Sequence, residues 1–225
     1  FRSVTFEGIH LREASGAPAV VVGGGKLALH NSTLAANSAG ALQVTGGEVI
    51  MEDGIVTDNS AGGVIVSGGS FAAVRTIFMR NAAAEGGASL HVTAGSVVLG
   101  NSTLLLESLT DASGAVMQID GGSVVYEPPA PLGRWALATD GVAVLTSGRH
   151  DGDYPYACVP GVLGNSARPQ AQSGPSCAAA CPAGSYCPSL STRGLLCPRG
   201  SYCPLGSSSF LSCPTGKTTI DGGMT

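Results

Sequence analysis

One short pattern recurs five times between Val22 and Tyr126, and it limits what this chain can fold into more than anything else in the sequence. The copies read VGGGKLAL from Val22, VTGGEVIM from Val44, VSGGSFAA from Val66, VTAGSVVL from Val92 and IDGGSVVY from Ile119, with first residues 22, 22, 26 and 27 apart. A chain that returns an apolar, turn, apolar unit at such a period builds its core by stacking each copy on the last.

Aligned, the copies separate into inward and outward positions. Val20, Leu42, Val64, Leu90 and Met117 share one column. Val22, Val44, Val66, Val92 and Ile119 lie two residues on, the spacing that puts side chains on one face of a strand. A Gly pair or Ala-Gly follows and is expected to end the strand at a corner, since glycine accepts backbone angles that other residues resist. Leu27, Val49, Phe71, Val97 and Val124, then Leu29, Met51, Ala73, Leu99 and Tyr126, supply a second strand. Leu34, Val56, Phe78 and Leu104 supply a short third one. Three short strands per turn, with turns about 4.8 Å apart, describe an all-β right-handed parallel β-helix.

Asn37, Asn59 and Asn81 are 22 and 22 residues apart and fall at one corner of three consecutive rungs. Stacked amides there can each donate to the carbonyl of the next, although asparagine that merely tolerates a turn would give the same column. Val4, Phe6 and Leu11 fit the second and third strand columns, and Ala14-Ser15-Gly16 fits the corner. The chain therefore enters the stack partway through a turn. With no Met start or apolar leader it reads as a processed product or a fragment.

Phe78-Met79-Arg80-Asn81 followed by Gly86-Gly87-Ala88 resembles the paired FxxN and GGA motifs of polymorphic outer membrane protein repeats, within the wider pectate-lyase-like β-helix class. Weaker versions run from Leu34 to Asn37 with Ala39-Gly40-Ala41, and from Val56 to Asn59 with Ala61-Gly62-Gly63. The resemblance spans about residues 1 to 126 and implies surface display and adhesion.

Composition agrees with a solenoid. Charged residues are 12%, aromatics 5% and glycines number 34, so order must come from repeated ladders and small aliphatic stacks. A net charge of −4, with Lys26 and Lys217 the only lysines, leaves no basic patch for nucleic acid, and no stretch reads as a membrane span.

The regular stack should stop at Glu127-Pro128-Pro129-Ala130-Pro131, because proline has no N–H to give a ladder. Residues 135–148 still alternate and are expected to form an irregular last rung or a cap, closing a solenoid domain over 1–148. A linker rich in Gly, Pro, Ala and Ser follows over 149–175, and a cysteine-rich domain over 176–225. His150, Asp151 and Asp153 sit in that linker. Two carboxylates and one imidazole without further oxygen ligands make a poor cation site, so a polar turn is expected and no metal or cofactor is assigned.

All seven cysteines, Cys158, Cys177, Cys181, Cys187, Cys197, Cys203 and Cys213, follow Ala157. From Cys181 the unit C-P-x-G-S-Y-C-P returns with a period of 16, with almost no apolar residues to form a core, so covalent links must supply the order. The unit resembles the ephrin-receptor-like, growth-factor-receptor-type cysteine-rich modules of secreted proteins over about residues 177 to 217, which implies disulfides. Intervals of five and nine residues do not give the close hooks of zinc modules. An odd count leaves one thiol over: either Cys158 is free, or Cys213 pairs with a further module.

Two N-glycosylation sequons occur, at Asn31 and Asn101, in a column that otherwise holds Asp53 and Arg75 and so should face solvent. Catalytic candidates are sparse. Asp53, Asp58, Asp111 and Asp120 do not share columns on adjacent rungs. Glu7, His30 and Glu52 do occupy one column and could in principle serve acid-base work, but no aromatic-lined groove accompanies them. Gly216-Lys217-Thr218 matches the end of a phosphate loop, yet the glycine needed five residues earlier is Leu211.

These residues describe an extracellular or cell-surface structural protein, not an enzyme, that is a subunit or segment of a surface coat or filament. Assembly would run through β-helix edges and disulfide-stapled modules, by self-association or with other chains of the same assembly. The alternatives are a glycan-binding adhesin, for which Trp135 is the sole tryptophan, and a polysaccharide lyase or hydrolase.

Overall fold

The computed structural model describes residues 2–84, 86–100, 102–106, 115–137, 142–165 and 172–219. These contain strands and turns but no α-helix, and the chain divides into two compact units. The first is Phe1–Pro128 with Val142–Tyr154; the second is Pro129–Gly141 with Pro155–Thr225.

The first unit is a parallel β-solenoid of about five turns. Strands β1 (Ser3–Glu7), β3 (Val20–His30), β5 (Leu42–Glu52), β7 (Val64–Val74) and β9 (Gly87–Gly100) lie side by side, all parallel. β11 (Ala115–Ile119) and β12 (Ser123–Glu127) both continue from β9. The short strands β2 (His10–Arg12), β4 (Thr33–Ala35), β6 (Ile55–Thr57), β8 (Ile77–Met79) and β10 (Leu104–Leu105) make a second parallel sheet. Because each rung pairs in register, every apolar position meets its own counterpart, as in the buried series Leu42, Val64, Leu90 and Met117. Size alternates where it must: Ala73 sits between Met51 and Leu99, and Phe71 between Val49 and Val97. That alternation lets large side chains fill space left by small ones.

Two expectations from the sequence are corrected. The glycine pairs do not end the strands. β3, β5 and β7 each run through the corner as one strand of eleven residues, and the ladder merely loses register there. The reason is close backbone approach: a Cβ at Gly68 would lie 2.5 Å from the Thr45 carbonyl oxygen, and one at Gly46 would lie 2.7 Å from that of Gly23. Without side chains, neighbouring rungs stay in contact while both bend. The second correction concerns Leu104, which is half-buried, while Leu105 takes the fully buried place beneath Phe78. Four steps separate Gly100 from Leu104 where three separate Val74 from Ile77, and a one-residue shift moves a strand residue to the opposite face.

At the corner after the short strands, Asn37, Asn59 and Asn81 are fully buried. Asn37 Nδ2 donates to Asn59 Oδ1 at 2.8 Å, and Asn59 Nδ2 to Asn81 Oδ1 at 2.8 Å. The same oxygens accept the Asn37 and Asn59 backbone N–H groups, and Ala14 N donates to Asn37 Oδ1 at 3.0 Å. Each amide nitrogen also reaches a carbonyl one rung back: Leu11, Leu34 and Val56 respectively. At the next corner the buried Thr76 and Thr103 hydroxyls play a similar part, bonding the Met51 and Ala73 carbonyls.

The far end is closed by a return of the chain. β14 (Ala143–Leu145) pairs antiparallel with β12, and β15 (Gly148–His150) antiparallel with β11. Tyr154 exchanges backbone hydrogen bonds with Leu105 at 2.8 Å each, its ring edge-on to the buried Tyr126. The cap is thus 142–154. Arg134 and Trp135 instead pair with Tyr156 and Ala157 in the second unit, and the segment 149–175 carries the end of the cap and further strands.

The glycine seam makes a paired prediction. Gly68→Ala should lower the free energy of unfolding by about 1–3 kcal/mol, the usual cost of overpacking. Gly24→Ala, in the same column but with nothing within 4 Å of an added Cβ in the single chain, should stay within about 0.5 kcal/mol of wild type in dilute solution, below any self-association. Equal effects in denaturant titrations would contradict the seam.

Candidate functional site

The charged side chains gather in columns on the outer surface, one rung apart. Glu7, His30 and Glu52 are register partners in successive rungs, with His30 Nδ1 3.4 Å from Glu52 Oε2 and Arg75 Nη2 3.9 Å from the same oxygen. Glu7 is exposed, and His30 and Glu52 are half-buried. The column has the form of a surface ion-pair ladder, without the burial that shifts a catalytic acid or base.

Neighbouring columns are paired more tightly. Arg75 donates to both carboxylate oxygens of Asp53, at 2.7 and 2.8 Å, and Arg80 to both of Asp58, at 2.8 and 2.7 Å. Asp120 accepts from Gln118 Nε2 at 2.6 Å and lies 2.8 Å from His91 Nε2. Hydrogen bonds from Arg75, Arg80 and His91 hold the Asp53, Asp58 and Asp120 carboxyls below the usual aspartate range. These pairs tie consecutive rungs together on the outside as the asparagines do on the inside. Asp111 lies outside the described residues.

Asn31 is exposed at a corner where its φ is 48°, and Asp53 and Arg75 hold the same conformation one and two rungs on, at 52° and 49°. Asn101 lies outside the described residues. In the former linker, His150 Nε2 meets the Thr146 carbonyl at 2.8 Å and Arg149 Nε donates to Asp151 Oδ1 at 2.6 Å. Among the described residues no group of three or more His, Cys, Asp or Glu is placed to hold a metal ion.

The second unit is a repeat longer than its cysteines suggest. The turns Ala130–Ala136, Cys158–Gly164, Cys181–Cys187, Cys197–Cys203 and Cys213–Thr219 each place a glycine of positive φ fourth: Gly133, Gly161, Gly184, Gly200 and Gly216. From copy to copy, the first residue's N–H donates to the glycine carbonyl before it: Cys158 to Gly133, Cys181 to Gly161, Cys197 to Gly184 and Cys213 to Gly200, at 2.8–3.0 Å. Each glycine's N–H in turn donates to the last residue of the following copy: Gly133 to Gly164, Gly161 to Cys187 and Gly184 to Cys203. Antiparallel two-residue strands link the turns. They are β13 (Arg134–Trp135) with β16 (Tyr156–Ala157), β17 (Val162–Leu163) with β18 (Ala179–Ala180), β19 (Ser185–Tyr186) with β20 (Leu195–Leu196), and β21 (Ser201–Tyr202) with β22 (Leu211–Ser212). Trp135 stacks at a tilt on Tyr156, ring centroids 5.0 Å apart, and its Nε1 donates to the Ala157 carbonyl.

The disulfides follow this frame. Cys181–Cys187 and Cys197–Cys203 each join the first and last residues of one turn, and Cys158 joins Cys177. The first two copies are unmarked in the sequence because they lack the cysteine pair. Buried Ala130 and Ala136 stand in both positions of one, and Gly164 ends the other, where a Cβ would lie 2.7 Å from Cys158 Sγ. Proline one or two residues before a glycine, at Pro131 and Pro160, was the available signal. Cys158 is therefore not the free thiol. Cys213 is, and its partner position inside its own copy is occupied by Thr219, whose buried hydroxyl accepts from Gly200 N at 2.8 Å. The odd count thus falls at the Cys213 copy, whose second cysteine position holds Thr219.

No family model matches the chain, and neither curated proteins nor solved structures give a significant match. The likeness to outer-membrane-protein repeats and to ephrin-receptor-like modules accordingly stands on the motifs themselves. What the structure adds to them is a parallel β-solenoid and a set of disulfide-stapled turns.

Restoring the missing cysteine tests the frame of the second unit. Thr219→Cys should close a third within-turn disulfide, reduce the free thiols of the oxidised chain to none, and raise stability by about 2 kcal/mol for so short a loop. Two titratable thiols after oxidation would contradict it.

Proposed function

We propose that this chain is an extracellular structural protein, a subunit or segment of a cell-surface assembly, that joins a second copy of itself through the open edge of its solenoid. Three disulfides fit an oxidising compartment, and among the described residues no helix is long and apolar enough to cross a membrane.

The observation that carries the reading is the stepped shape of that edge. β1 covers only Lys26–His30 of β3, so Val20–Gly24 is left without a strand on that side among the described residues. An open hollow of about 350 Å³ lies over the step, lined by Arg2, Val4, Phe6, Val20, Val22 and Leu27. Val4 and Phe6 are 47% and 44% exposed although their columns are buried in the rungs below. An unpaired edge of this kind is a template for another strand.

A second copy supplies one. Turned about a two-fold axis at the glycine corner, its five-residue β1 lies antiparallel along the five residues Val20–Gly24, and the first copy reciprocates. Its Val4 and Phe6 then fall over Val20 and Val22, closing both cores. The space beside Gly24 receives the partner's backbone, as the corner glycines below receive theirs. A head-to-tail filament would need an open parallel edge at the far end as well, and there β14 and β15 lie across the last rung. Pairing through the stepped edge gives a closed dimer as the unit of assembly.

Sedimentation equilibrium tests this. The wild-type chain should associate reversibly to a dimer, while Gly24→Val and Phe6→Lys should stay monomeric with unchanged circular dichroism. A wild-type chain that is monomeric at its highest soluble concentration, or a Gly24→Val variant that dimerises as well as wild type, would overturn the reading.

A further inference from the structure

Asparagine at a solenoid corner is used in two ways in this chain, and the difference identifies a modification site. Asn37, Asn59 and Asn81 are fully buried with both amide atoms engaged. Asn31 is exposed, and its side-chain amide bonds no other described residue; only its backbone N–H is engaged, with the Glu52 carbonyl at 2.9 Å. The turn does not require asparagine here. Asp53 and Arg75 adopt the same left-handed conformation in the same column and bond each other across the rungs. The fold thus leaves the Asn31 amide unused and facing solvent.

The next two residues complete an Asn-x-Thr sequon, and the structure sorts their side chains. The Ser32 hydroxyl is buried and turned back onto the His30 carbonyl at 2.7 Å. Thr33 lies on the outward face of β4, in register with His10 and Ile55, and is only half-buried. The acceptor amide and the hydroxyl that specifies it therefore both sit on the outside, where neither serves the packing. Three disulfides fit folding in an oxidising compartment, and secretory compartments in which such acceptors are modified are of that kind.

We infer that Asn31 carries an N-linked oligosaccharide. The donor class is a lipid diphosphate-linked oligosaccharide: the Asn31 Nδ2–C1 bond forms, the C1–O bond to the diphosphate breaks, and the amide proton passes to a base of the transferring enzyme. The sugar projects from the second turn, beside the Glu7, His30 and Glu52 column and one strand away from the open edge of β1.

The test uses the full chain secreted from a eukaryotic host, with Asn101→Gln removing the other sequon. Intact mass should fall by one oligosaccharide on treatment with peptide N-glycosidase, and the peptide containing residue 31 should then read Asp. Thr33→Ser should keep the modification and Thr33→Ala should abolish it in secreted, folded protein. An unchanged mass for the Asn101→Gln chain, or an unmodified Asn31 peptide from the wild type, would overturn the assignment.

Discussion

The amide column at Asn37, Asn59 and Asn81 is what allows the turns of this solenoid to close. At that corner the backbone leaves one sheet for another, and its N–H groups no longer face a neighbouring strand in the ladder. The Asn59 and Asn81 side-chain oxygens accept them, each amide nitrogen bonds the next amide, and a carbonyl one rung back completes the set. A buried polar group left unbonded costs about 1–3 kcal/mol, and a repeat would incur that cost at every turn. The period of 22 residues is thus as much a spacing of hydrogen bonds as of apolar side chains.

A second constraint acts at the opposite corner, and it is one of distance. The strands of successive rungs can remain paired through a bend only if nothing projects between their backbones, which is why Gly46 and Gly68 sit under carbonyl oxygens that would touch a Cβ. The outer ion pairs are of lesser weight, since exposed pairs contribute little each. Their register partners are fixed by the ladders, so Asp53–Arg75 and Asp58–Arg80 report the same one-rung displacement as the core.

Much of this was legible in the sequence because a solenoid writes each contact several times. The inward columns from Val20 to Tyr126 and the asparagine column could be aligned by spacing alone. Legibility failed where repetition failed. One extra residue before Leu104 exchanged it for Leu105 in the core, and no period marks a single insertion. The antiparallel cap at 142–154 depends on where the chain returns, which its own short pattern does not encode. In the second unit the cysteines are the visible period, whereas the geometry that recurs from copy to copy is a positive-φ glycine and two backbone hydrogen bonds. Ala130, Ala136, Gly164 and Thr219 fill cysteine positions without disturbing that frame, so the repeat runs past its own most visible letter. The proposed edge was readable as an incomplete turn. Its stepped shape appears only once β1 is laid on β3.

The most direct measurement is side-chain amide hydrogen exchange by NMR on the unglycosylated, disulfide-bonded chain, comparing the Nδ2 protons of Asn37, Asn59 and Asn81 with those of Asn31. Buried, mutually bonded amides exchange only when the rungs open, so the three ladder residues should be protected to a degree near that of core backbone amides while Asn31 exchanges freely. Exchange of the ladder amides as fast as that of Asn31 would mean that the column is not bonded, and that something else holds the turns together.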